Sequence, residues 1–239
     1  MPRKFLEAEW RDLIMANYET DPDILRPFVP AGTELDFWNG VCYSSLVGFM
    51  FKNTRVKGFS FPYHTDFEEF NLRFYVRRKE NGEWKRGVVF MKEIVPRHMI
   101  TLVANTLYGE HYATHPMRNS FRETAESYFF KYDWRTGNKW NFISAETDKQ
   151  AVPIAEGSEE EFITQHFWGY TRLSDTRTSE YEVAHPRWNV YPVKKLEVAC
   201  SAAELYGETF QFLEKATPLS CFVAQGSEVA VLGKKVLSA

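Results

Sequence analysis

Residues Phe67–Arg78, reading FEEFNLRFYVRR, place five chemically capable side chains in one row. In an extended chain successive side chains point to opposite sides, so Glu69, Asn71, Arg73, Tyr75 and Arg77 share a face. Phe70, Leu72, Phe74 and Val76 share the other, which asks for a core. The row combines a carboxyl, an amide, a phenol and two guanidinium groups. Arg73 in that setting suits bidentate contact with a carboxylate, with Glu69 and Asn71 beside it as hydrogen-bonding groups. Two meanings are open from alternation alone. The row is the polar wall of an enclosed pocket, or it is a solvated face whose charges pair at little gain.

A second cluster follows a helix: Tyr108, Glu110, His111, Tyr112 and His115. Tyr108 and Tyr112 offer hydroxyl donors or ordinary amphipathic packing. His111 and His115 stand four apart, but Gly109 and Pro116 break a regular helix and no third ligand follows at a recognisable spacing, so no metal site is expected. His185, between a strand and Pro186 with Trp188 nearby, reads either as a cavity acid/base or as a hydrogen-bonded structural histidine. Lys92 alternates onto the face of Val88, Phe90 and Ile94, as a desolvated amine or a snorkelling strand-end lysine. His64 and Asp66 have the look of a hydrogen-bonded pair beside a loop. A phosphate-cradling glycine loop, a G-x-S-x-G elbow and a CxxC pair are all missing from the sequence, so nucleotide and thiol-redox chemistry have no support and no cofactor is expected.

The elements that must carry these groups are mostly strands. Trp10–Tyr18 predicts a first strand and Asp21–Arg26 a short helix, and WNGVCYSSLVGFMF (residues 38–51) predicts a strand covered on both sides. The Asn81–Gly82 pair between Phe67–Arg78 and Trp84–Val95 predicts a tight hairpin, since both residues tolerate positive φ. Residues 97–108 change to helical spacing. Met99, Leu102, Val103, Thr106 and Leu107, with Ile100 and Ala104 at the sides, predict a helix apolar nearly all round and hence buried, ended by Gly109. Phe121–Trp134 with Trp140–Ala145, and Tyr170–Leu173 with Ser179–Val193, predict hairpins, and Lys195–Cys200 a strand. Ser158 with Glu161 and Ser201 with Glu204 are capping-box pairs, the second opening a helix of about a dozen residues. Two short strands, Leu219–Ala224 and Glu228–Val236, end the chain. Mostly strands, with few and isolated helices, point to one domain over residues 1–239. The fold class is mainly β, a closed antiparallel barrel, because closure removes sheet edges.

Composition agrees. Of 239 residues, 44% are hydrophobic and 16% aromatic, enough for a large packed core, and 20 Phe, 12 Tyr and 7 Trp suit pleated surfaces. A formal net charge of −3 provides no field for nucleic acid or an anionic membrane. The three cysteines are unclustered, which fits free thiols in a reducing compartment. No apolar run approaches membrane-spanning length, and a cytoplasmic location is expected. The aromatic-rich surface leaves a homodimer open.

Three stretches together, F-x-E-x-N-x-R-x-Y (Phe67 to Tyr75), ANTLYGEHY (Ala104–Tyr112) and E-Y-E-V-A-H-P-x-W (Glu180–Trp188), resemble the YqjF-like family of uncharacterised bacterial proteins. That family is placed with the acetoacetate decarboxylase-like superfamily. The resemblance implies a cone-shaped β-barrel around a ligand cavity, with an embedded helix near residues 97–108 leading into the active-site loop. Acetoacetate decarboxylase forms a Schiff base through a lysine in the motif Arg-Glu then Gly-x-Pro-Lys-Lys. Here Asn105 and Thr106 stand where Arg-Glu would be, Gly109 matches the glycine, His111 stands at the proline and Tyr112 at the reactive lysine. Glu69 corresponds to the glutamate of the superfamily's Tyr-x-Glu strand. A tyrosine cannot form an imine, so acid/base or enolate-type chemistry replaces the Schiff-base route in the reading that this is an enzyme. The resulting candidate cavity set is Glu69, Asn71, Arg73, Asn105, Tyr108, His111, Tyr112 and His185, around a small organic acid or carbonyl compound. The competing reading is a non-catalytic sensor or interaction barrel, its interior filled by aromatic side chains.

Overall fold

The computed structural model describes residues 4–238, without the side chains of Leu107 and Tyr108. Seven strands pair into a ring: Arg177–Ala184, Trp168–Ser174, Glu83–Val95, Phe67–Glu80, Val41–Val56, Lys4–Glu19 and Ser220–Leu232, the last returning to Arg177–Ala184 through Val183 and Val231. Most neighbours are antiparallel. Trp168–Ser174 meets Glu83–Val95 in parallel, so the ring is mixed rather than wholly antiparallel. From Ser220–Leu232 the sheet continues through Asn189–Ala199, Lys139–Thr147, Tyr128–Thr136 and Met117–Glu123. This second layer folds across the outside of the ring.

The two layers explain why the Phe67–Glu80 strand is buried on both sides. Its apolar face, Phe70, Leu72, Phe74 and Val76, packs outward with Phe130, Tyr132, Trp134 and Ile143 of the second layer. Phe70 and Trp134 stack with ring centroids 3.6 Å apart. The polar face therefore points into the ring. The hairpin turn carries φ of 52° at Asn81 and 90° at Gly82, as the Asn-Gly pair predicts.

Several elements are shaped differently from the sequence expectation. The predicted strand 121–134 is two strands, folded at Thr124–Ser127, where the Thr124 hydroxyl caps the turn by accepting from Ser127 N at 3.0 Å. The predicted hairpin partner 179–193 breaks at His185–Pro186. The Ser201 helix stops after Tyr206 at Gly207 (φ 98°) and resumes as a 3-10 turn over Glu208–Glu214. Its N-terminus is served by Glu214, which accepts from Ala203 N, and not by Ser201. At Glu159–Thr164 the cap forms as predicted, with Glu161 N donating to Ser158 Oγ at 3.2 Å. That short helix closes one end of the ring, where Phe162 and Ile163 join the interior cluster with Tyr43, Val47 and Tyr75.

The helix His98–Tyr108 ends at Gly109 (φ 74°), but it is not buried: Met99 is 54% and Leu102 59% exposed. Of its described side chains, Met99, Ile100, Val103 and Ala104 line the cavity, so the helix covers a mouth instead of filling a core. Among the described residues no helix is long and apolar enough to cross a membrane.

Candidate functional site

The ring interior is not filled. It encloses a cavity of about 420 Å³, well within the usual range for small-molecule sites. Aromatic and aliphatic side chains form most of its wall, among them Phe49, Phe51, Phe67, Val88, Phe90 and Trp188. Polar groups enter from few directions. Glu69, Asn71 and Arg73 come from the inward face of Phe67–Glu80, and Glu93 comes from the neighbouring strand opposite Asn71.

Glu93 reaches the interior through a bulge. The pairing shifts between Leu72 and Arg73, so that Phe90 lies opposite Arg73 but Lys92 lies opposite Leu72. One extra residue reverses the alternation beyond it. Val88 and Phe90 face the cavity before the bulge and Glu93 after it. Lys92 thus leaves the face predicted for it, and its ammonium donates to the Leu205 carbonyl of the outer layer. The bulge exchanges a candidate amine for a carboxyl.

Three carboxyls gather at one end. Glu69, Glu93 and Glu110 are 2%, 3% and 7% exposed and all line the cavity. Asn71 Nδ2 donates to Glu69 Oε1 at 3.0 Å and the Tyr112 hydroxyl donates to Glu69 Oε2 at 3.0 Å. Thr171 donates to Glu110 Oε1 at 2.6 Å, and Tyr181 also hydrogen-bonds that carboxyl. Burial pushes Glu69 up to about 7, against the hydrogen bonds from Asn71 and Tyr112 and with help from the nearby charge of Glu110. Burial and the neighbouring Glu110 and Glu69 carboxyls hold Glu93 well above the usual carboxylate range. Burial raises Glu110 as well, despite the bonds from Thr171 and Tyr181. Like charges this close in a low-dielectric site cannot all ionise, so at neutral pH the cluster presents acidic O–H donors. Glu93 Oε2 and Asn71 Oδ1 are buried without a hydrogen-bond partner among the described residues. Burial also drives the Tyr112 and Tyr181 phenols upward, which keeps both as neutral donors.

Arg73 lies next along the row. Its Nε donates to the Tyr75 hydroxyl at 3.3 Å and its Nη2 to the Ile163 carbonyl at 3.2 Å. The guanidinium is nearly buried, at 8% exposure, yet no carboxylate of the described residues lies within ion-pair distance of it. Tyr75 is fixed in turn by Ser45, whose hydroxyl lies 2.7 Å from the phenol and donates to Asn17 Oδ1 at 2.7 Å.

The other sequence candidates divide. Tyr112 and His185 line the cavity with Glu69, Asn71 and Arg73. His185 stacks on Trp188 with centroids 4.2 Å apart, and Nδ1 lies 2.9 Å from the Pro186 carbonyl. Burial lowers its pKa, keeping it neutral. Asn105 and His111 do not line the cavity. The left-handed turn at Gly109 directs Asn105 to the backbone of Tyr112, accepting from its N–H at 2.8 Å and donating to its carbonyl at 3.0 Å. Alternation beside Tyr112 leaves His111 exposed, on the opposite side from Glu110 and Tyr112. The side chain of Tyr108 lies outside the described residues. His64 and Asp66 do not pair, because His64 Nδ1 meets the Pro62 carbonyl and Asp66 accepts from Asn53 N.

Sequence reasoning missed Glu93, Glu110, Tyr181 and His166 as cavity residues. Tyr181 sits in the E-Y-E-V-A-H-P-x-W stretch and Glu110 in the ANTLYGEHY stretch, so both carried a signal. Glu93 was hidden by the bulge. His166, at the exit of the Glu159–Thr164 helix, carries no local pattern.

Solved structures of acetoacetate decarboxylase-like proteins superimpose on this ring of strands with a helix over its mouth, which gives the chain the acetoacetate decarboxylase-like fold. The enduracididine biosynthesis enzyme MppR complexed with pyruvate matches with a TM-score of 0.70 at 15% identity, covering 100% of this chain and 91% of that one. Acetoacetate decarboxylase from Legionella pneumophila matches at 0.65 and 14% identity, over 98% and 87%. An acetoacetate decarboxylase-like enzyme from Sphingomonas wittichii RW1 matches at 0.66 and 12% identity, over 99% and 94%. At these identities the likeness is one of fold. The chain belongs to DUF2071, a family described as an uncharacterized conserved protein, whose model matches residues 7–228. The uncharacterized protein YqjF of Bacillus subtilis (strain 168) is 32% identical over 186 residues, 77% of this chain and 74% of that protein.

Proposed function

We propose that the cavity takes a small organic acid with an apolar body, its carboxylate on Arg73 and its carbonyl oxygen against the Glu69–Glu93–Tyr112 end. The chemistry is acid/base catalysis through an enol or enolate. The observation that carries this reading is Arg73, a buried guanidinium without a carboxylate partner among the described residues, facing a mostly apolar cavity. A buried ion left unpaired costs several kcal/mol, on the order of what an anionic ligand would return. The carboxyl cluster supports the second half. Protonated carboxyls and phenols held in a dry site donate hydrogen bonds to the oxygen that gains charge when a proton leaves the adjacent carbon.

The apolar wall sets the substrate class. Phe49, Phe51, Phe90, Ile100 and Val103 surround the space leading away from the polar row and suit an aryl or branched alkyl group. Imine chemistry has no amine in the right place. The resemblance puts Tyr112 where the reactive lysine would stand, Lys92 points to the outer layer, and Lys57, on the cavity wall, is exposed. Similarity to a structure complexed with pyruvate supports an organic acid of this kind.

The test compares 4-phenylbutanoate with 4-phenylbutanamide, which differ only at the group meeting Arg73. At one hundred times its dissociation constant the acid stabilises the fold by about 2.7 kcal/mol, a rise in melting temperature of roughly 5–10 °C, while the amide produces little. Equal shifts from acid and amide, or none from either, refute the assignment of Arg73.

A further inference from the structure

The ring closes on itself, but the second layer does not. Its last strand, Met117–Glu123, pairs with Tyr128–Thr136, and among the described residues no strand lies on its other side. Residues 118–123 are all exposed. Parity assigns the backbone groups left over. Arg135 N donates to the Pro116 carbonyl and Thr124 N to the Ser127 carbonyl, so the even-numbered residues bond the neighbouring strand. Met117, Asn119, Phe121 and Glu123 therefore turn their N–H and C=O groups outward. The usual protections of such an edge are missing. The strand holds no proline and no lysine, no bulge interrupts its pairing, and it runs for seven residues. Lys235–Ser238, at the other end of the sheet, has four. Neither arginine of Met117–Glu123 guards its edge, because both fold back over their own sheet. Arg118 lies 4.3 Å above the Trp140 ring with Nε 3.5 Å from Asp133, and Arg122 lies 4.3 Å above Phe129. Phe121 projects on the opposite face, 55% exposed, its ring 5.6 Å from Tyr128 and 5.3 Å from Phe130.

We propose that two copies of the chain meet at this edge, each Met117–Glu123 strand pairing antiparallel with its counterpart across a two-fold axis at Phe121. The strand's own chemistry selects a second copy and this register. Outward-turned residues exchange hydrogen bonds only with outward-turned residues, so the axis falls at a residue and not between two. With the axis at Phe121, the two phenyl rings become a cross-strand pair. Asn119 then stands opposite the partner's Glu123 and Ser120 opposite the partner's Arg122, so that an amide and a hydroxyl each face a charged group they can bond. Asn119, Phe121 and Glu123 of the two strands together exchange about six backbone hydrogen bonds. An axis at Ser120 would set Arg118 opposite the partner's Arg122 twice over, and like charges directly opposite are destabilising. An axis at Asn119 would leave Glu123 outside the ladder. It would also move the partner toward the Phe67–Glu80 strand, which Asn119 Nδ2 already meets through Glu68 at 2.6 Å. No residue of the four outer strands lines the cavity, so the contact leaves that site open.

Sedimentation velocity of the full chain over a range of concentrations tests the contact. Wild type is expected to be a dimer that dissociates on dilution. Phe121→Lys sets two ammonium groups opposite each other and removes the aromatic pair, which raises the dissociation constant roughly 10-fold or more. Asn119→Pro raises it too, by removing an outward N–H while the strand's inward bonds stay, as an edge position allows. Melting curves check that each variant folds, and should Asn119→Pro not fold, Phe121→Lys and the disulfides below carry the test. Register is read by mild oxidation and mass spectrometry. Residues of a hydrogen-bonded pair lie about 5.5 Å apart at Cα, within disulfide reach. Phe121→Cys is expected to link two chains through position 121 and Ser120→Cys to give no link, with the three native thiols of wild type as background. Wild type that stays monomeric throughout the series overturns the proposal and leaves the edge to a strand of another protein. A dimer whose dissociation constant neither variant changes overturns it as well. A disulfide through Ser120→Cys in place of Phe121→Cys overturns the register.

Discussion

Replacing Arg73 by Met separates a binding cation from a structural one. The side chain gives hydrogen bonds to the Tyr75 hydroxyl and the Ile163 carbonyl and a weak one to Met15 Sδ at 3.8 Å. Losing the two bonds to oxygen costs about 1.5–3 kcal/mol each, because the donor is charged. Against this stands the desolvation of a buried ion, several kcal/mol, which no carboxylate of the described residues offsets. Tyr75 keeps its contact with Ser45, so only the Ile163 carbonyl is left wanting a donor. The opposing costs nearly cancel, and the ligand-free Arg73→Met protein should lie within about 2 kcal/mol of wild type. Affinity for 4-phenylbutanoate should fall by about 2–5 kcal/mol, which is about 30-fold to several thousand-fold. Urea denaturation gives the first quantity and isothermal titration the second. The reasoning is refuted by a variant destabilised well beyond 3 kcal/mol that still binds the acid, because that pattern belongs to a guanidinium holding the barrel end together.

Other consequences follow from the carboxyls and from one glycine. Glu69 has a folded-state pKa of about 7 against an ordinary 4.5, so the folded state holds its proton more tightly and stability is lost as pH rises between those values. The loss amounts to roughly 3 kcal/mol, and Glu69→Gln should flatten that part of a denaturation-versus-pH curve. Glu180 behaves oppositely. Its carboxylate contacts Arg78, Lys85 and Lys235, and although burial raises it, the Lys235 hydrogen bond and the lysine charges hold it below its usual value. Its contribution is present at neutral pH and lost as pH falls through the carboxylate range. Glu180→Gln should cost about 1–3 kcal/mol at pH 7 by urea denaturation, discounted because its partners are partly exposed. Gly169→Ala would place a methyl 2.1 Å from Tyr181 Cζ, displacing the ring that hydrogen-bonds Glu110. About 1–3 kcal/mol of overpacking and a weakened thermal shift with 2-oxo-4-phenylbutanoate are expected.

Much of this arrangement was legible in the sequence where the signal was periodic or local. Alternation separated the polar and apolar faces of Phe67–Glu80, and Asn81–Gly82 fixed the hairpin. The choice between pocket wall and solvated face depended on a second sheet layer packing on Phe70 and Leu72, and that layer forms from strands far along the chain. Alternation failed at Lys92 and Glu93 because a bulge has no reliable residue signature, and one residue of slip exchanges which side chain enters the cavity. Helical spacing placed His98–Tyr108 correctly but not its exposure, since an apolar helix over a cavity mouth and one in a core carry the same residues. His166 and Asp36 are 130 residues apart, and only the folded ring joins them.

A structure of the complex with 2-oxo-4-phenylbutanoate tests the central claim most directly. The account predicts the carboxylate on the Arg73 guanidinium, the keto oxygen facing Glu69, Glu93 and Tyr112, and the phenyl group among Phe49, Phe51 and Phe90. A ligand bound outside the ring, or one lying inside with its carboxylate turned away from Arg73 toward the mouth, would contradict it.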